Sequence, residues 1–192
     1  MFRTGRRAAI GLVVLLFTVA AVGCGSAKIT ELVGPEWQEA TSASGQYVAE
    51  FPGKPSTRTH TIPDSDLTLQ VTELEAGGDA YTLSEAALNG IAPYPLDEAV
   101  DNAVENARLG QEPDWGTVTA TERSRTTGDI EGLETREYSH ELVGEDEKVT
   151  MSGVIFYNGD IVVHAMAVTD SESNAEAVDR FLSSLRFANQ AG

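Results

Sequence analysis

The side chains best suited to chemistry are three histidines, one cysteine and a few acidic turns. His164 lies within an apolar run, Ile161 to Thr169. A hairpin closed at Asn158-Gly159 sets it opposite Gly153, whose missing side chain leaves room for an imidazole. Two roles are open to such a histidine. It is a core residue bonded to a carbonyl or hydroxyl, or, with Gly153, it lines a ligand pocket beneath a helix. Burial favours its neutral form in either case. His140 stands beside Glu141, with Tyr138 two residues earlier. Adjacent strand residues point to opposite faces, so His140 and Glu141 make a poor metal-chelating pair. His60 falls in a polar edge-strand segment and reads as exposed. The turns Asp64-Ser65-Asp66, Glu145-Asp146-Glu147 and Asp170-Ser171-Glu172 can each hold a hard cation weakly, but none has a calcium-loop pattern. The chain has no G-x-S-x-G, P-loop, G-x-G-x-x-G, H-E-x-x-H or C-x-x-C motif. No catalytic residue, metal site or cofactor is therefore assigned.

Cys24, the only cysteine, cannot form an internal disulfide. Its setting explains it better. Arg3, Arg6 and Arg7 precede an apolar stretch from Ala8 to Val22, too short for a transmembrane span of about 20 residues. The stretch ends Ala21-Val22-Gly23-Cys24. This resembles a bacterial lipobox, with Ala21 where Leu is usual, and implies a cysteine carrying acyl chains such as palmitate. The alternative is an ordinary signal peptide with an incidental cysteine. The expected organisation is a signal peptide over residues 1–23, a lipidated tether over 24–36, a folded domain over 37–188 and a frayed tail over 189–192. The expected location is the extracytoplasmic face of the cell membrane, lipid-anchored.

The elements that must position these residues follow from periodicity. Val149 to Thr169 is two apolar runs joined by Asn-Gly, a pattern that predicts a type I′ hairpin with Tyr157 opposite Asp160 and Ile155 opposite Val162. Neither face of this ribbon is polar throughout, so both must be covered. Strands are expected at Gln46–Phe51, Thr57–Ile62, Leu67–Thr72 and Ala80–Ala87, and again at Thr117–Thr126 and Leu133–Leu142. A helix is expected over Asp97–Arg108, with Ala99, Val100, Ala103, Val104 and Ala107 on one stripe and Gly110 as its stop. A second helix begins at a Ser173–Glu176 capping box and closes near Arg186-Phe187. Trp37 and Trp115 read as core or lid aromatics, with partner anchors as the alternative. The predicted fold class is α+β: a three-layer α/β/α sandwich, an antiparallel sheet with one helix packed on each face.

The formal net charge is −17, and loss of Arg3, Arg6 and Arg7 with a signal peptide takes it to −20. Such a surface repels nucleic acid, which is excluded as a partner.

Phe51-Pro52-Gly53-Lys54-Pro55 after a strand, Leu96-Asp97-Glu98-Ala99 opening a helix, and Phe181 to Phe187 at the end resemble the PsbP-like family in its bacterial lipoprotein type. The resemblance covers roughly Trp37 to Phe187. It implies an α/β/α sandwich on an antiparallel sheet, and a protein not defined by an active site. The family's photosynthetic members are extrinsic accessory proteins of a membrane complex. The expected function is thus a non-enzymatic binding or accessory module of the cell envelope, with an envelope protein or small ligand as partner. The alternatives are a small-molecule or lipid carrier with a pocket between sheet and helix, and a weak metal-dependent module using His140 or the acidic turns.

Overall fold

The computed structural model describes residues 36–61, 68–76, 78–88, 95–170 and 174–188. The segments expected as signal peptide and tether, with Cys24, up to Pro35, the expected turn at Asp64–Asp66, residues 171–173 with the expected capping residue Ser173, and residues 189–192 lie outside them. Among the described residues there are ten strands and two helices. The strands are β1 (Gln38–Thr41), β2 (Tyr47–Phe51), β3 (Ser56–Thr61), β4 (Thr68–Ala76), β5 (Asp79–Ala87), β6 (Thr119–Ile130), β7 (Leu133–Val143), β8 (Lys148–Tyr157), β9 (Ile161–Thr169) and β10 (Arg186–Phe187). The helices are α1 (Leu96–Trp115) and α2 (Ala175–Ser183).

Seven strands form one antiparallel sheet in the order β3-β4-β5-β9-β8-β7-β6, and β1-β2-β10 form a second. The two meanders, β3 to β5 and β6 to β9, join where β5 pairs with β9. The chain is therefore mostly β. This corrects the expected α/β/α sandwich with one helix per face. Both faces of the β8–β9 ribbon are covered, but only one by a helix alone. On that side α1 presents Val100, Val104 and Ala107 to Met151, Ile155 and Met166. On the other, the small sheet supplies Tyr47, Ala49 and Phe51, and α2 adds Val178 and Phe181. The Phe181 ring packs on Phe51 at 5.1 Å and Tyr81 at 5.4 Å between centroids. The short strands β1 and β10 carry no alternation long enough to read, and Arg186-Phe187, expected at a helix end, instead pairs with Val48 and Tyr47.

The hairpin is also closed differently. Tyr157 pairs with Val162, Ile155 with His164 and Gly153 with Met166. The central turn residues are Gly159 and Asp160, and only Gly159 has positive φ, at 104°. Asn158 sits at the first corner, where its carboxamide oxygen accepts the amides of Asp160 (3.0 Å) and Ile161 (2.8 Å). That bond selects a turn with Gly at its first central position over the Asn-Gly type. The register moves by two residues, which changes every partner and leaves the faces intact. The paired positive φ values fall instead at Glu131 (51°) and Gly132 (90°), between β6 and β7.

Helix α1 runs past the expected stop at Gly110. Gln111 extends its buried stripe, and Gly116, at φ 71°, donates its amide to the Glu112 carbonyl to end it. Pro113 is accommodated in the last turn.

The two sheets are tied by a buried carboxylate. Glu85 on β5 is 4% exposed, and it accepts bonds from the Ser42 hydroxyl (2.7 Å) and the Ser44 amide (2.8 Å) of the β1–β2 turn. Bonds to a buried charge are each worth roughly 1.5–3 kcal/mol. Glu85→Gln, which turns a donor toward donors, should lower unfolding stability by about 2 kcal/mol. Amide exchange should also speed up in β1 and β2 ahead of β8. Unchanged exchange in β1 and β2 would refute this tie.

Candidate functional site

Among the described residues, polar side chains gather at a sealed place and at an open one, besides the Glu85 tie. The sealed one lies under α1. Tyr138 on β7 is opposite Gly153 on β8, and a Cβ at Gly153 would stand 2.7 Å from the phenol carbon and oxygen. The space left by Gly153 is thus filled by the Tyr138 ring. Its hydroxyl reaches across to His164 Nε2 at 2.6 Å. Ser84 on β5, directly opposite His164, donates to the His164 carbonyl at 3.2 Å. Burial raises the Tyr138 pKa above its ordinary 10 and lowers that of His164 from 6.5 to about 4. At neutral pH the pair is therefore a protonated phenol donating to a neutral imidazole.

His140 shares this face, its ring 5.9 Å from that of Tyr138. It is 5% exposed, with Nε2 3.5 Å from a Glu122 oxygen and Nδ1 lacking a hydrogen-bond partner among the described residues. Burial lowers its pKa, against the opposing pull of Glu122. Glu141 points to the other face, where it pairs with Arg123 (2.6 Å) and Lys148 (2.5 Å). Arg125 closes the polar string by bonding Asp101 of α1 at 2.6 Å. Arg136 bonds Asp97 at 3.1 Å. His60 lies on β3, opposite Leu69. No group of three or more His, Cys, Asp or Glu that would hold a metal gathers among the described residues. Trp37 carries the Arg180 guanidinium over its ring at 4.2 Å, and Trp115 packs on the α1 core.

The open place is on the opposite face, where α2 stops short of β6 and β7. It is a groove of about 380 Å³. Its floor is two cross-strand rows, Ser124–Ser139–Ser152 and Thr126–Glu137–Val154, and its wall is Val178, Asp179, Leu182 and Ser183 of α2. A β-bulge between Glu122 and Ser124 sets these rows. The extra residue turns Ser124 and Thr126 toward the groove and Arg125 toward α1. Gly153 contributes to the groove floor and His164 does not. These groove residues were missed in the sequence because a bulge breaks the two-residue period that identifies a strand face. Their one signal was Ser or Thr recurring at alternate positions of β6.

The arrangement resembles a known fold. The cyanobacterial PsbP protein (CyanoP) from Synechocystis sp. PCC 6803, solved in solution, superposes with a TM-score of 0.56 at 13% identity, over 87% of this chain and 98% of that one. The fold is PsbP-like. A protein of unknown function from Pseudomonas aeruginosa, PA94, aligns at TM-score 0.39 and 17% identity, over 64% of this chain and 91% of that one, too distant to carry an argument. No protein-family model matches the chain, and no curated protein does.

Two outcomes follow for the sealed pair. Gly153→Ala forces a methyl to within 2.7 Å of Tyr138 and 2.9 Å of the Ala165 carbonyl. It should cost about 1–3 kcal/mol in denaturant unfolding; a neutral effect would mean that the ring moves freely. The second concerns pH. The unfolded chain takes up a proton at His164 near pH 6.5, the folded chain only near 4. The stability due to neutral His164 is thus complete above 6.5 and lost as pH falls through 6.5 toward 4, by an amount on the order of 3 kcal/mol. His140 acts in the same sense. Asp79, whose pKa burial and Asp170 raise, acts in the opposite one. His164→Gln should flatten most of the slope between pH 6.5 and 4; a variant that keeps the whole slope would place it elsewhere.

Proposed function

We propose that this chain is a lipid-anchored, extracytoplasmic, non-enzymatic module that binds or assists another component of the bacterial cell envelope. The observation that carries the reading is where the polar side chains are spent. Tyr138, His164 and Glu85, the groups best suited to acid–base work, are at most 4% exposed; Tyr138 and His164 bond each other within one sheet, and Glu85 ties the two sheets. The open groove beside α2 is lined instead by hydroxyls, two carboxylates and the aliphatic side chains of Val154, Val178 and Leu182. That is a surface for recognition. The PsbP-like fold agrees with an accessory role. The sequence at Cys24, preceded by Ala21-Val22-Gly23, supports the anchor. No helix among the described residues is long and apolar enough to cross a membrane.

A second reading, a small-molecule carrier with its pocket between sheet and helix, is favoured by the groove beside α2. Of the ligand site expected at His164 and Gly153, only Gly153 lines this groove. A lipid cargo suits the groove poorly, since hydroxyls form most of its floor.

Cys24→Ala should move the protein from the membrane fraction to the soluble or secreted fraction and abolish metabolic labelling with palmitate. A variant that stays membrane-bound would refute the anchor. Amine-reactive crosslinking in intact cells, read by mass spectrometry, should join the chain to an envelope protein in preference to itself; a chain recovered only as itself would refute the accessory role.

A further inference from the structure

We infer that the groove between α2 and strands β6 to β8 is a docking site for a lysine-bearing segment of a partner protein. The inference rests on the accessory-module reading and names the chemistry of its partner.

The groove is amphipathic across its width. Val154, Val178 and Leu182 form an apolar strip on the side nearest the core, with Val154 and Val178 almost fully buried. Away from that strip run the hydroxyls of Ser124, Ser139 and Ser152, the last two bonded to each other at 3.0 Å. The charged side chains lining the groove are Glu137 on its floor and Asp179 on its wall, both exposed and both negative. Gly128 leaves room for Glu137 to lie across β6, because a Cβ there would meet the carboxylate at 2.5 Å. An apolar strip in a groove that also carries two carboxylates fits one common side chain. Lysine lays its four-carbon stem on aliphatic surface while its ammonium reaches for charge and hydroxyl acceptors. A neutral sugar would lack the stacking ring that such a site normally offers.

The surroundings set a direction. Arg180, also on α2, is turned away to Glu50 at 2.8 Å and to Trp37. Arg123 and Lys148 lie beyond one end of the groove on the same face, both paired to Glu141. The partner's ammonium is repelled from that end and drawn toward the groove's carboxylates, Glu137 and Asp179. The strongly acidic chain, at −17, draws a basic partner from a distance, and the groove then selects among basic segments.

Carbodiimide coupling in intact cells tests this on the full chain, because it joins a carboxylate to an amine with no spacer. The expected product is Glu137 or Asp179 in an amide bond with a partner lysine. It should be lost in a Glu137→Gln/Asp179→Asn variant and kept in a charge-matched Glu98→Gln/Asp160→Asn variant. Partner lysines joined only to carboxylates outside the groove would overturn the inference and leave the accessory role standing. No partner joined at any carboxylate would remove both. In a second measurement, a tetralysine peptide is titrated into the full chain in detergent micelles. The groove variant should bind about tenfold more weakly than the charge-matched variant. Equal weakening in the two, or equal binding of an Nε-acetylated peptide or a neutral oligosaccharide, would overturn the inference.

Discussion

Strands β8 and β9 must be buried on both faces, and the remainder of the architecture answers that requirement. Their side chains are apolar in both directions, with Met151, Ile155 and Met166 on one side and Phe156, Val163 and Ala165 on the other. Leaving either set in water forfeits roughly 1.5–3 kcal/mol per large side chain. One face is met by α1. The other is met by a layer assembled from both ends of the chain, β1 and β2 from the beginning and α2 and β10 from the end. That layer joins segments far apart in sequence, since β10 pairs with β2, so its formation carries the entropy of closing a long loop. Two sets of polar groups in this core have partners that link separate strands. Glu85 takes the donors of the β1–β2 turn, and the Tyr138 phenol takes His164 through the gap left by Gly153.

A single inserted residue in β6 has consequences on both sides of the sheet. The bulge reverses which side chains face α1. Arg125 comes to lie against Asp101, fastening the helix, and Ser124 and Thr126 come to lie beside Ser139 and Glu137. Without it, Arg125 would face the groove and cancel its negative charge. The acidic, hydroxyl-lined character of the groove is thus a product of strand phase as much as of composition. Because α2 is short, the same groove stays open where a longer helix would have filled it.

Much of the body was legible from alternation. The long strands, the first helix, the last helix and the two-sided burial of the central ribbon all show in the periods of apolar residues. Three things did not. The β10 strand is two residues long and the β1 strand four, too short for any period to emerge, and with them the second sheet was missed and a helix expected in its place. The hairpin register depended on whether the Asn158 carboxamide bonded forward to Asp160 and Ile161, which no pattern of hydrophobicity encodes. The groove depended on the bulge. Of the residues singled out for chemistry, His164 and Gly153 were placed on the same face as expected, and the ring between them, Tyr138, was noted only for its neighbour His140.

By itself the sequence determined the acidic composition and the apolar central ribbon with two faces to cover, and it carries the pattern at Cys24 from which a membrane anchor is proposed. Each is a local matter of residue type and spacing. Only the tertiary structure decided what covers the second face, which residue fills the space beside Gly153, and which side of β6 faces the groove. These are long-range choices, settled by which buried surfaces and hydrogen-bond partners meet when distant segments pack.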